Sequence, residues 1–315
     1  MLKVAFIFPG QGAQTVGMGK DFSEAGGIAN KIYQVFDANT SSDLSTICFN
    51  GPEDKLKRTL YTQPAILATS LAALALFQEK SDIQPIVTAG HSLGEYGALY
   101  ASGVIDLETA AKLIHQRASL MDQAQQGAMS AVLGLPAEKV EAVLQGIPAD
   151  LGPVVAANYN TPEQLIISGA PPAVEAAGIQ LKEAGAKRVL PLAVGGAFHS
   201  PLMAEAATSF ETFLSPYTFN NAVVPVITNV DAQPTTAGDE LKAKLSKQIN
   251  HSVRWTQTMD QLFTQLGVDT VIEFGPGKVL TGMIKKCHPM VQVYNVFDMT
   301  SLNATLEAMG QTVSV

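Results

Sequence analysis

Apolar and polar positions follow two periods along this chain. Short runs of consecutive apolar residues, Lys3–Phe8, Ile86–Ala89, Val224–Thr228 and Thr270–Phe274, read as strands buried on both faces. Between them lie stretches with helical spacing: Gly27–Phe36, Gln63–Lys80, Glu95–Ala101, Leu107–Ala124, Asp239–Ile249 and Thr256–Leu266. The chain closes with a helix, a strand and a helix. Strands alternating with helices predict an α/β fold around a mainly parallel sheet. The apolar run Ala65–Phe77 contains Thr69 and Ser70 and is too short to span a bilayer. With Thr62 as its cap and Pro64 in its first turn, it reads as a buried helix.

The middle of the chain has a different order. Ala128–Leu133 predicts a strand and Ala137–Leu144 a helix. Val154–Asn158 and Gln164–Ser168 predict two strands around the turn Asn160-Thr161-Pro162. A helix over Ala173–Ala184 and a strand over Arg188–Val194 complete a βαββαβ, ferredoxin-like order. Gly127 and Gly195-Gly196 are the expected hinges. The expected organisation is a large unit of residues 1–126 and 197–315 with a small insert at 127–196.

The 315 residues are 47% hydrophobic and only 15% charged, which suits a compact enzyme rather than a disordered chain. A net charge of −8 argues against general nucleic-acid binding. An acidic partner would need a local basic patch. Lys187, Arg188, Lys285 and Lys286 are candidates, and read equally well as solvated surface charge. Two cysteines, Cys48 and Cys287, form neither a disulfide framework nor a zinc motif, so a reducing cytoplasm is expected. The apolar run Val4–Phe8 stops at Pro9-Gly10, unlike a signal peptide.

Candidate chemistry centres on Gly90-His91-Ser92-Leu93-Gly94, which fits the G-x-S-x-G nucleophile elbow. A strand precedes it and a helix follows, so Ser92 falls on a tight strand-to-helix turn. Serine needs a base. His91 is adjacent but should point away; His115 lies on a polar helix face; His251 and His288 sit in polar loops. His199 stands at the junction of insert and large unit, where clefts form, and is the candidate base. A capping or packing role is the alternative. No third, acidic partner is evident: Asp106 reads as a helix cap, Asp122 as a polar-face residue and Asp150 as a loop residue. A Ser–His dyad with a non-acidic orienter fits better.

Arg117 falls in the apolar stripe of its helix with Leu113 and Met121. A buried guanidinium needs an anion. That anion is an internal acid, Glu95 being conceivable, or the carboxylate of a substrate. Gln11, in the turn Gly10–Gly12 after the first strand, could offer a backbone amide to an oxyanion hole together with Leu93. Gly275-Pro276-Gly277-Lys278 lacks P-loop spacing and reads as a tight βα turn.

Several motifs occur together in order: Phe8-Pro9-Gly10-Gln11-Gly12-Ala13-Gln14, Gly90-His91-Ser92-Leu93-Gly94-Glu95, Gln116-Arg117, Ala197-Phe198-His199, Asn229-Val230 and Glu273-Phe274-Gly275-Pro276-Gly277-Lys278. From about Val4 to Ile284 the chain resembles the malonyl-CoA:acyl-carrier-protein transacylases and, more broadly, the acyltransferase domains of fatty-acid and polyketide synthases. The resemblance implies an α/β-hydrolase-like large subdomain with a ferredoxin-like insert. It implies Ser92 as nucleophile, His199 as base, Arg117 as the carboxylate anchor, and Gln11 and Leu93 amides as the oxyanion hole. It implies that a main-chain carbonyl, at Gln248, orients the histidine. Phe198 before the base and Leu93 after the nucleophile are similar to malonyl-selective members, with Phe198 filling the space an α-methyl needs. Gly195-Gly196 departs from the pattern, where one bulkier residue is expected.

The expectation is therefore ping-pong transfer of malonyl from malonyl-CoA to the phosphopantetheine thiol of holo acyl carrier protein. No metal or redox cofactor, no nucleic acid and no membrane are expected to take part, and the expected working form is a monomer. A trans-acting polyketide acyltransferase shares this chemistry. A serine esterase or thioesterase is the competing class, and a catalytically idle scaffold a third.

Overall fold

A computed structural model describes residues 2–311 except 41 and 125. Its ten strands are β1 (Val4–Phe8), β2 (Val87–Gly90), β3 (Ala128–Leu133), β4 (Val154–Thr161), β5 (Gln164–Gly169), β6 (Arg188–Pro191), β7 (Val226–Ile227), β8 (Pro234–Thr235), β9 (Thr270–Phe274) and β10 (Gln292–Val296). Six form one sheet in the order β10-β9-β1-β2-β7-β8, parallel except for the β7–β8 pair. The other four form an antiparallel sheet in the order β4-β5-β3-β6.

The large sheet explains its own sequence. Every residue of β1 is buried, because helices cover both faces. Alternate residues feed separate cores. Phe6 and Phe8 point into an aromatic cluster with Phe77 and Phe274, whereas Ala5 and Ile7 pack with Trp255, Met259 and Ile284. On the first side runs helix Thr59–Lys80, packed against helices Gly27–Asn39 and Leu107–Gln123. By length and composition it could cross a membrane, yet 89% of its most apolar window is buried inside the protein. It begins earlier than its sequence suggests. Arg58 precedes its first turn, Pro64 lies inside it, and the Thr62 hydroxyl bonds the Leu56 and Arg58 carbonyls instead of capping. Dense packing on all sides overrides the local signals.

The small sheet has the βαββαβ order, with helices Ala137–Gln145 and Pro171–Glu183 packed on one face around Val132, Leu165, Ile167 and Leu181. The other face, with Met129 and Ile166, joins the main core. Strand β4 runs three residues past the sequence estimate. Register shifts at Ala156/Asn158 and Tyr159/Thr161 accommodate its polar residues, and the turn becomes Pro162-Glu163. Backbone bonds from Tyr159 to Val253 and from Val253 to Ala157 stitch β4 to the segment that leads into helix Trp255–Asp260.

Other expected elements shorten. Strand β6 stops at Pro191 and β7 spans only Val226–Ile227. Helix Gly238–Lys247 tightens into a 3₁₀ turn at Gln248–Asn250. Sequence periodicity did not reveal helices Leu44–Asn50 and Ala204–Leu214.

Candidate active site

Ser92 lies where β2 turns into helix Gly94–Ala101, and its φ of 52° is left-handed. Glycine makes the turn possible. A Cβ on Gly90 would overlap the Gly94 carbonyl, and one on Gly94 would overlap that of Phe8. Asn229 brackets the strained residue. Its Oδ1 accepts from the Ser92 N–H at 2.7 Å, and its Nδ2 donates to the Gly90 carbonyl at 2.7 Å.

His199 also has a positive φ, 58°, and its N–H donates to the Ile249 carbonyl. Its Nδ1 is 2.9 Å from the Gln248 carbonyl oxygen and 3.1 Å from that of His251. Carbonyls only accept, so Nδ1 carries the proton. The Nε2 lone pair then faces Ser92 Oγ at 2.8 Å. Burial, reinforced by the Arg117 charge, pushes the imidazole pKa down to about 3. It is neutral at pH 7 and able to accept a proton. The 3₁₀ turn Gln248–Asn250 aims these carbonyls, so the shortened helix has a consequence for the site.

Arg117 projects from helix Leu107–Gln123 and is fully buried. Its Nη1 donates to Gln63 Oε1 at 2.6 Å. Its Nη2 donates to Ser92 Oγ and to Gln248 Oε1, both at 2.9 Å. Its Nε has no hydrogen-bond partner among the described residues. Burial lowers the guanidinium pKa, but the group stays a cation at neutral pH.

Glu95 is not a direct partner of Arg117. The Gln248 amide stands between them, its Nε2 donating to Glu95 Oε2 at 2.7 Å and to the Ser92 carbonyl at 2.9 Å. Glu95 Oε2 also accepts from the Asn229 N–H at 3.1 Å, and burial raises its pKa to about 7. The first turn of its helix directs the carboxylate to these donors rather than to the guanidinium.

These groups open into a cavity of about 460 Å³. Gly10, Gln11, Leu93 and Phe198 border it on one side, and Met129, Ile166 and Asn160 of the antiparallel sheet on the other. His91 borders it too but turns from Ser92, placing Nε2 2.8 Å from Asn160 Oδ1. His251 contributes only its carbonyl, and His288 packs on Phe263. Asp106 caps its helix and Asp122 pairs with Arg58 at 2.7 Å. No group of three or more His, Cys, Asp or Glu poised for a metal occurs among the described residues. The arrangement brings together a hydroxyl, a neutral base and a fixed cation, groups of the kind that acyl transfer through a serine ester uses.

Sequence reasoning gave no role to Gln63, Asn160 or the Gln248 side chain, and named Asn229 only as part of a matched motif. Gln63 carried a usable signal. It is a long polar residue in an apolar helix, the same conflict that exposed Arg117.

The model of the acyl transferase domain matches residues 5–303. The chain belongs to the acyltransferase family. This acyltransferase is 40% identical to the malonyl CoA-acyl carrier protein transacylase of Bacillus subtilis, over 99% of this chain and 98% of the relative. It is 41% identical to the one from Haemophilus influenzae, over 98% and 99% of the two chains. Among solved structures it superposes on a malonyl-transacylase in complex with a type II PKS acyl-carrier protein, with a TM-score of 0.92 and 38% identity over 97% of this chain and 99% of that one. An acyl carrier protein S-malonyltransferase from Vibrio cholerae gives 0.91 and 40% over 96% and 99%. The α/β fold with its second, antiparallel sheet is shared with these enzymes.

Proposed function

We propose that this acyltransferase carries a malonyl group from malonyl-CoA to the phosphopantetheine thiol of acyl carrier protein, supplying fatty-acid synthesis through an ester on Ser92. One observation carries this reading. The Arg117 guanidinium lies 2.9 Å from Ser92 Oγ, and both residues line the cavity. An acyl group on that oxygen meets a fixed cation, which favours acyl groups ending in a carboxylate.

Ser92 Oγ attacks the thioester carbonyl as His199 Nε2 takes its proton. The Gln11 and Leu93 amides receive the oxyanion, Leu93 at the positive end of helix Gly94–Ala101. Collapse expels the CoA thiolate, which takes the proton from His199. The malonyl ester rests with its carboxylate on Arg117. The carrier thiol then gives its proton to His199, attacks the ester and leaves with the malonyl group, returning Ser92 to its hydroxyl form. The carbonyls of Gln248 and His251 hold the imidazole throughout, and Phe198 closes the space beside the acyl α-carbon. No metal or redox cofactor enters these steps. We place the enzyme in the cytoplasm as a monomer, and divide it into a catalytic unit of 1–126 and 197–315 and an insert of 127–196.

The resemblance to a transacylase bound to a type II PKS carrier favours one second reading, in which the carrier belongs to polyketide assembly. The chemistry is unchanged. Intact-mass measurement with malonyl-CoA tests the proposal: wild type gains a malonyl adduct, Ser92→Ala does not, and holo carrier protein removes it as malonyl-carrier. Release of free malonate without carrier product would point to a hydrolase instead.

A further inference from the structure

We propose that Glu95 is a positioning residue: one of its carboxylate oxygens fixes the Gln248 amide so that this amide's carbonyl holds Arg117 in place for the acyl carboxylate. The inference rests on the role given to Arg117 above. A glutamine amide has one accepting end and one donating end. Both Gln248 N–H groups are used, one by the Ser92 carbonyl and one by Glu95 Oε2. The oxygen is thereby turned to Arg117 Nη2. In the flipped amide an N–H₂ group would face the guanidinium and a carbonyl would face the carboxylate, repulsive at both ends. The same Glu95 oxygen accepts from the Asn229 N–H, whose side chain brackets Ser92. Through the Gln248 backbone carbonyl the assembly continues to His199. Glu95 thus touches neither substrate nor a reacting atom, yet joins the holders of all three catalytic groups. With an amide interposed, no carboxylate among the described residues pairs directly with Arg117, and its charge stays available to an incoming carboxylate.

The test is the ratio of malonyl to acetyl loading on Ser92, in wild type, Arg117→Ala, and Glu95→Ala, Glu95→Asp and Glu95→Gln. Glutamine can place its carbonyl oxygen where Oε2 lies, whereas aspartate keeps the charge but withdraws the acceptor. We expect Glu95→Ala and Glu95→Asp to lower the ratio by at least about tenfold, with malonyl loading carrying the loss, and Glu95→Gln to stay within about threefold of wild type. Should Glu95→Ala fail to fold, the aspartate–glutamine contrast decides alone. Preserved preference in Glu95→Asp, lost preference in Glu95→Gln, or an equal fall for both donors in Glu95→Ala and Glu95→Asp overturns the inference. If wild type shows no malonyl preference, or Arg117→Ala keeps it, the role of Arg117 fails first and this inference falls with it.

Discussion

Arg117 and Ser92 are in direct contact: Nη2 donates to Oγ at 2.9 Å, while His199 Nε2 approaches the same oxygen at 2.8 Å. The nucleophile is therefore held between a cation and a base. Hydrogen bonds to charged groups contribute about 1.5–3 kcal/mol. Arg117→Ala should lower kcat/KM for malonyl-CoA roughly ten- to a hundredfold and leave that for acetyl-CoA much less affected. Equal losses for the two donors in steady-state assays would remove Arg117 from acyl selection.

Asn229→Ala should destabilise the fold by about 1–3 kcal/mol, because the Ser92 N–H and the Gly90 carbonyl lose their partner beside a left-handed residue. Denaturant unfolding measures this, and a midpoint equal to wild type would show that the bracket contributes nothing.

Two buried groups give opposite pH dependences. His199 has an ordinary value of 6.5 and a folded value of about 3, so the unfolded chain binds the extra proton between them and stability falls as pH drops through that window. Glu95 has an ordinary value of 4.5 and a folded value of about 7, so the folded chain retains a proton that the unfolded one releases, and stability falls as pH rises through that window. Glu95→Gln should remove the second decline, gaining on the order of 3 kcal/mol on wild type between pH 4.5 and 8. Parallel stability curves for the two proteins would contradict the buried-acid assignment.

Phe198 borders the cavity, and a Cβ on Gly196 would press on its ring. Phe198→Ala should raise methylmalonyl loading relative to malonyl by about tenfold or more, since a methyl in an apolar pocket is worth about 1–3 kcal/mol. Gly196→Ala should change the same ratio by displacing the ring. Competition between the two CoA esters, read by intact mass, decides; an unchanged ratio in both variants would take Phe198 out of selectivity.

Lys285 and Lys286 are exposed at the end of helix Val279–Cys287, and Lys187 and Arg188 are exposed near β6. If either pair meets the carrier, its reversal to Glu should slow carrier-dependent turnover at low salt, with little effect on loading from CoA. Unchanged turnover assigns these charges to solvent.

Much of the fold was legible because periodicity reports burial. The run Thr270–Phe274 has the same bounds as β9, and the βαββαβ order of the insert is visible in alternation and turns. Ser92 was legible because a strained turn needs glycines, and Arg117 because a cation in an apolar stripe is a conflict. Elements fixed by tertiary contact were not legible: the early start of helix Thr59–Lys80, the 3₁₀ turn that aims Gln248, and the long, bulged β4. Gln63 was given no role in the sequence, and the contacts of Asn229 and Glu95 were not legible there, because each acts through partners tens of residues or more away in the chain.

The imidazole of His199 is held by two neutral carbonyls and faces a guanidinium, so no anion among its hydrogen-bond partners stabilises it once protonated. Such a base gives its proton back readily and is weak. A weak base deprotonates a thiol, with a pKa near 8.5, far more easily than water, at 15.7. In the mechanism proposed above, the second half-reaction therefore asks less of this base when a thiol attacks than when water does; the Ser92 hydroxyl, about as reluctant as water to lose its proton, has Arg117 Nη2 beside its Oγ to stabilise the charge that develops there.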